Sequence, residues 1–315
     1  MNSVSIEMRR ANAFRPIAAP LITARMSDGS ALHIKNEAAQ PSGSFKLRGP
    51  TTFFENNPSV GERVTTASTG NHGIGLSMAA RAAGRVAEIM VPRATPMAKI
   101  DAIREAGGEV RFVDGGYEDA LAEANAEAAS GRAHLVPSYD HPDIIAGNRN
   151  IFREYVEEFG APALVYVPIG GGGLLSAALE TFRGTDTEVV GVELSPFERV
   201  RELIETGAEQ IDKPAETPAP STEGIAIRTL GVIPRKIIGA SKKLRLMSVD
   251  GAQLKRACRW LYKEHGVRAE LGGSAATAAA IADTARHDVR SPALSIVSGG
   301  NIDPSVHDEI VAGDP

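Results

Sequence analysis

One cysteine, Cys258, is all this chain contains, and a single thiol forms neither an intrachain disulfide nor a cysteine-based metal cluster. A reducing cytoplasm suits such a chain. Long apolar runs are missing as well. The alanine-rich stretch at residues 274–282 is too short and too weakly apolar to cross a bilayer, so no membrane partner is expected. Positive charge is not in excess: 34 Lys and Arg face 39 Asp and Glu, a net charge of −5. That balance leaves no basic footprint for nucleic acid or an anionic surface. Residues 1–20 hold Glu7, Arg9 and Arg10 without an apolar core, so no secretory signal is expected there. Nor is feedback control through an added amino-acid-binding domain expected after Pro315.

What remains is an ordinary folded composition, 43% hydrophobic and 23% charged over 315 residues. That length buries a full core and accommodates two compact units or one large one. Short apolar runs at residues 86–91, 110–113, 134–137, 163–169, 188–194, 244–249 and 293–297 predict strands. Between and around them, residues 96–106, 117–129, 143–158, 174–182, 196–206, 253–265 and 274–284 predict helices. This β-α alternation predicts an α/β protein with parallel sheets covered on both faces. The Ala/Pro/Thr-rich residues 208–222 break the rhythm and predict a loop. No internal repeat is present.

Four segments carry chemistry. The first is Ser42-Gly43-Ser44-Phe45-Lys46-Leu47-Arg48-Gly49. A lysine that forms an imine needs a neutral, partly desolvated amine, and small neighbours let a flat cofactor approach the backbone. The second is Thr66-Ala67-Ser68-Thr69-Gly70-Asn71-His72-Gly73, ahead of an alanine-rich helical stretch. Such a turn aims N–H groups and hydroxyls at one point, which suits a carboxylate. The third, Gly170-Gly171-Gly172-Gly173, lies between a predicted strand and a predicted helix. Bare amides at a helix start suit a phosphate, and no Gly-Lys-Ser/Thr follows to make this a Walker loop. The fourth, Ser298-Gly299-Gly300-Asn301, follows the last predicted strand, at the kind of strand end where open α/β sheets gather ligands.

In this order the four segments resemble the threonine/serine dehydratase branch of the tryptophan synthase β-type (fold type II) pyridoxal-phosphate enzymes, over residues 20–303. The SGSFKLRG form is also similar to serine racemases; the cysteine synthase branch usually has Asp after this lysine and Thr in place of His72.

The resemblance implies roles. Lys46 holds pyridoxal 5′-phosphate as a Schiff base and then serves as the base at Cα. Phe45 flanks the ring, and Asn71 bonds the phenolic oxygen. Ser68, Gly70, Asn71 and His72 cradle the carboxylate of a small amino-acid substrate. Gly170, Gly171, Gly172 and Gly173, with Leu174, hold the phosphate. Ser298 faces the ring nitrogen; a hydroxyl stabilises a pyridinium less than a carboxylate does, so the ring stays mostly neutral and β-elimination is favoured over transamination. Loss of water from L-serine or L-threonine then gives a 2-oxo acid and ammonia. Racemisation is the alternative, with the Thr69 hydroxyl as acid/base on the opposite face of Cα. The implied fold is two open-sheet αβα domains, a small mobile one (residues 53–146) inserted in a large one (residues 1–52 and 147–315). A cytoplasmic homodimer is expected.

Two departures stand out. Relatives usually carry Ala-Gly-Gln-Gly-Thr where this chain has Ala146-Gly147-Asn148-Arg149-Asn150. Arg149 then becomes a candidate for pairing with a second substrate carboxylate, as in a 3-hydroxyaspartate, or is simply a solvated arginine on a helix. Several relatives bind a divalent cation starting from an acid at the Glu193 position and another six residues on. Here the later position is Arg199, a cation, so no metal is expected.

Overall fold

Runs such as LVYVP and ALSIV are short, apolar and β-branched, and in the structure each is a strand buried along its whole length. The computed structural model describes residues 14–211, 221–287 and 291–313. In chain order the elements are β1 (Leu21–Arg25), β2 (Ala31–Asn36), α1 (Arg48–Asn56), β3 (Arg63–Ala67), α2 (Asn71–Ala82), β4 (Val86–Pro92), α3 (Met97–Glu105), β5 (Glu109–Val113), α4 (Tyr117–Ala129), β6 (His134–Leu135) and α5 (Pro142–Phe159). They continue with β7 (Leu164–Pro168), α6 (Gly173–Thr181), β8 (Glu188–Leu194), α7 (Val200–Thr206), α8 (Val232–Gly239), β9 (Leu244–Val249), α9 (Gly251–His265), α10 (Ala275–Ala282), β10 (Ala293–Val297) and α11 (Pro304–Ala312).

The chain forms two units. Gln40–Gly147 makes the core of one and is inserted in the sequence of the other, which is built from Ala18–Ala39 and Asn148–Pro315. The first boundary thus falls at Gln40, where the sequence reading set 53. The reason is tertiary packing: Leu47 and Phe53 share an apolar core with Leu76, Ile89 and Ile144, so the Lys46 segment belongs with β3–β6. The second boundary lies inside the uninterrupted helix α5.

In the inserted unit four parallel strands stand in the order β5-β4-β3-β6. The chain moves from β3 to β4 and β5 on one side, then crosses back to place β6 on the other side of β3. The carboxyl ends of β3 and β6 are therefore a topological switch point, where connections leave in opposite directions and open a crevice. Helix α4 shows why such a sequence packs: Ala120 and Ala124, one turn apart, are fully buried, and Glu118 and Asp119 occupy its first turn, where the dipole favours acids.

The larger unit has a six-stranded sheet, β1-β2-β10-β7-β8-β9, parallel except that β1 runs against β2. Its switch point lies at β7 and β10, since β8 and β9 follow on one side before the chain returns to β10 on the other. Helix α9 buries Leu254, Ala257, Cys258 and Leu261, the spacing of one helical face, and starts with a capping box between Asp250 and Gln253.

The helix expected over residues 196–206 begins only at Val200. Glu193, on β8, accepts the main-chain N–H groups of Arg199 and Val200 at 2.8 and 3.0 Å, and this side-chain cap starts the helix there. The loop expected at residues 208–222 includes 212–220, which lie outside the described residues. Among the described residues no helix is long and apolar enough to cross a membrane.

Candidate active site

The site residues named from sequence fall into two groups, one at each switch point. In the inserted unit, Ser44 caps a short 3-10 turn, Phe45–Leu47, by accepting the Lys46 N–H at 3.4 Å. Buried Leu47 and Arg48 anchor the turn from behind. Lys46 itself is half-buried. Its Nζ donates to the carbonyl of Ser138 at 2.9 Å and lies 5.1 Å from the centre of the Phe45 ring. Gly75 on α2 lets the two segments meet: a Cβ there would stand 2.5 Å from the Lys46 carbonyl oxygen.

After β3 the chain turns through Ser68, Thr69 and Gly70 into α2. The Ser68 hydroxyl accepts the N–H groups of Gly70 and Gly73, at 3.3 and 3.0 Å, and so shapes the turn. Thr69, Gly70 and Asn71 are half-buried beside it. His72 is buried, and its Nε2–H donates to the carbonyl of Val136, at 3.0 Å, just after β6. Burial, reinforced by the charge of Lys46, pushes this imidazole down to about 3. His72 is therefore neutral, with Nδ1 a lone-pair acceptor that is buried and meets no donor among the described residues. A carboxylate is also an acceptor, so what this residue offers one is its backbone N–H, in the first turn of α2.

The sign of the linked stability change is fixed. Between about 3 and its unfolded value of 6.5, this histidine binds a proton only in the unfolded chain. Stability therefore falls as pH drops through that window, by about 1.4 kcal/mol per pH unit for this group. His33, His141, His265, His287 and His307 are also lowered by burial and act in the same direction. The urea midpoint should thus fall less steeply with acid in His72→Asn than in the wild type. Identical slopes would contradict the assignment.

In the larger unit, the tetraglycine turn follows β7 and the Ser298 turn follows β10, on adjacent parallel strands. Gly172 has φ +93°, a conformation suited to glycine, and an added Cβ would lie 2.7 Å from Pro234. Buried Leu174 stands in the first turn of α6. The carbonyl of Gly171 accepts the Gly231 N–H at 3.1 Å. Buried Ser298 donates its N–H to Gly273 at 3.2 Å. Arg149 pairs with Glu180 of α6 at 3.7 Å, both side chains about one-third exposed (31% and 28%).

Sequence reasoning missed the carbonyls of Ser138 and Val136, because a main-chain oxygen carries no side-chain signal. It also read Arg199 only as a charge. In the structure Arg199 is buried against Glu193, with Nη2 donating to the carbonyls of Ile169 and Gly170.

The profile of the family described as pyridoxal-phosphate dependent enzymes matches residues 16–299. The chain belongs to this pyridoxal-phosphate-dependent enzyme family. It is 32% identical over 305 residues to an L-threo-3-hydroxyaspartate ammonia-lyase of a Pseudomonas species, covering 93% of each chain. It is 30% identical over 293 residues to an L-threonine ammonia-lyase of Thermotoga maritima, covering 90% of this chain and 70% of that one. Its structure is similar to processed threonine deaminase isoform 2 from Solanum lycopersicum, with a TM-score of 0.86, 26% identity, and coverage of 99% and 90%.

The residues of this pyridoxal-phosphate-dependent enzyme fit its cofactor. Lys46 supplies an amine for the aldehyde. His72 keeps a buried acceptor that meets no donor among the described residues, and the Lys46 charge helps to lower its pKa. The glycine turn leaves no room for side chains of its own, since a Cβ at Gly170 would stand 2.2 Å from the Gly224 carbonyl oxygen and one at Gly172 2.7 Å from Pro234.

Proposed function

We propose that this chain is an ammonia-lyase that removes the β-hydroxyl and amino groups of a small hydroxy amino acid of the L-serine or L-threonine type, giving a 2-oxo acid. One observation carries the reading: the Lys46 amine is held at a fixed point by the Ser138 carbonyl, beside a histidine that burial keeps neutral. The amine then has a set position from which to accept the substrate's Cα proton, with no second cation titrating next to it. When bound, pyridoxal phosphate supplies the electron sink that lets the Cα–H bond break.

The remaining residues bind and orient. The N–H groups at the start of α2, including those of Asn71 and His72, suit the substrate carboxylate, and the Ser68 cap holds that turn rigid. The Asn71 side chain suits the cofactor's phenolic oxygen, and Phe45 suits the ring face. The amides of residues 170–173 and Leu174 suit the phosphate. The Ser298 hydroxyl suits the ring nitrogen, without a carboxylate to protonate it. A divalent ion at Glu193 would meet the Arg199 guanidinium, so the same reading has no metal there. It also has a cytoplasmic homodimer, as the resemblance implies.

A second reading, a 3-hydroxyaspartate as substrate, is favoured by the Pseudomonas relative and by Arg149. A substrate carboxylate would have to compete with Glu180 for that guanidinium. A panel of β-hydroxy amino acids, assayed for 2-oxo acid release, decides between the readings. L-Serine and L-threonine should release product. Arg149→Ala should leave the kcat/KM ratio between 3-hydroxyaspartate and serine within about fivefold, the limit for an exposed pair worth at most about 1 kcal/mol. A larger fall assigns Arg149 to a second carboxylate. D-Serine formed without pyruvate would replace the lyase by a racemase.

A further inference from the structure

Arg199 carries a charge into the interior: its side chain is 0% exposed, and that of Glu193 is 4% exposed. The guanidinium joins two strand ends. On one side, Nη1 donates to Glu193 at 3.3 Å, the same carboxylate oxygen that caps α7. On the other, Nη2 donates to the carbonyls of Ile169 at 2.9 Å and Gly170 at 2.6 Å, at the entry to the tetraglycine turn.

A trans peptide is planar, with the C=O of one residue and the N–H of the next pointing in opposite directions. Holding the Ile169 carbonyl against the guanidinium therefore aims the Gly170 N–H away from it. Holding the Gly170 carbonyl does the same for the Gly171 N–H. The bond from Gly231 to the Gly171 carbonyl fixes the third plane, and with it the Gly172 N–H. Glycines otherwise sample more backbone conformations than any other residue, and ordering them costs correspondingly more.

We infer that Arg199 is a positioning residue: it orients the amides of the glycine turn so that they converge on the phosphate. This rests on the reading that residues 170–173 hold that phosphate. The guanidinium spans Glu193 and the two carbonyls because it is a planar fork, Nη1 serving the carboxylate and Nη2 the carbonyls; a lysine ammonium is a single point.

The test uses the full chain freed of cofactor, titrated with pyridoxal 5′-phosphate and with pyridoxal, which has the same aldehyde and no phosphate. The wild type should bind the phosphorylated form more tightly. Arg199→Met should weaken its binding about 10- to 100-fold, the range for losing hydrogen bonds to a charged group, and leave pyridoxal affinity unchanged. Arg199→Lys should recover part of the loss, and it carries the test alone if Arg199→Met does not fold. Equal weakening toward both ligands, or none toward either, would reduce Arg199 to a support of the fold and overturn the inference. A wild type that binds both ligands equally would instead remove the phosphate reading itself, and the inference with it.

Discussion

Lys46→Ala should lower kcat by at least about 10⁴-fold, because the variant loses both the amine that captures the cofactor's aldehyde and the base at Cα. Thermal stability should hardly change. The side chain is half-buried, and its bond to Ser138 is an ordinary one, worth about 1 kcal/mol net. Lys46→Arg separates charge from chemistry: it keeps a cation at the turn but cannot form an imine, and should be as inactive as the alanine variant. Borohydride reduction followed by peptide mass analysis checks the assignment directly. Cofactor mass should be added to the wild type at position 46 and be absent there from both variants. Trapping at another lysine in the active wild type would defeat the reading.

Gly75→Ala is the second large effect, and it acts from a position with no reactive group. The new Cβ would stand 2.5 Å from the carbonyl oxygen of Lys46, 2.6 Å from its carbonyl carbon and 3.0 Å from the nitrogen of Leu47. All three are main-chain atoms, so no side chain can rotate out of the way. Either α2 or the Lys46 turn must move. Overpacking of this kind costs about 1–3 kcal/mol, and a displacement of about 1 Å at a reacting group costs about 10²-fold in rate. The variant should melt at a lower temperature and lose kcat. Gly61→Ala is the control, since nothing lies within 4 Å of a Cβ there. A Gly75→Ala enzyme with wild-type kcat would show that the packing between α2 and the Lys46 turn does not position the amine.

The α/β class was legible because strands such as those at residues 164–168, 188–194 and 293–297 are largely apolar and rich in β-branched residues, and a buried parallel strand needs little more. Strands β2 and β3 escaped that reading. The run ALHIKN holds a histidine and a lysine, and RVTTA holds an arginine and two threonines, although both strands are largely buried. Tertiary partners take up some of their polar groups, as when Lys35 pairs with Glu154 at 2.8 Å and bonds Ala19, which no local pattern foretells. The residues of the candidate site were legible as motifs, yet their neighbours were not. Strand order decides that the turn after β3 meets the turn after β6, and strand order is a property of long-range pairing. The domain boundary near residue 53 missed for the same reason: Leu47 is committed to its core by Leu76 and Ile144, far along the chain.

The acceptor lone pair on His72 has a kinetic consequence. An imidazole that stays uncharged down to about 3 cannot produce the acidic limb of a rate–pH profile near neutrality. Any such limb must report another group. The histidine that stands out in the motif is thus a silent spectator of the titration, and its ring should give the same nuclear resonance signature of one fixed tautomer at every pH at which the enzyme works.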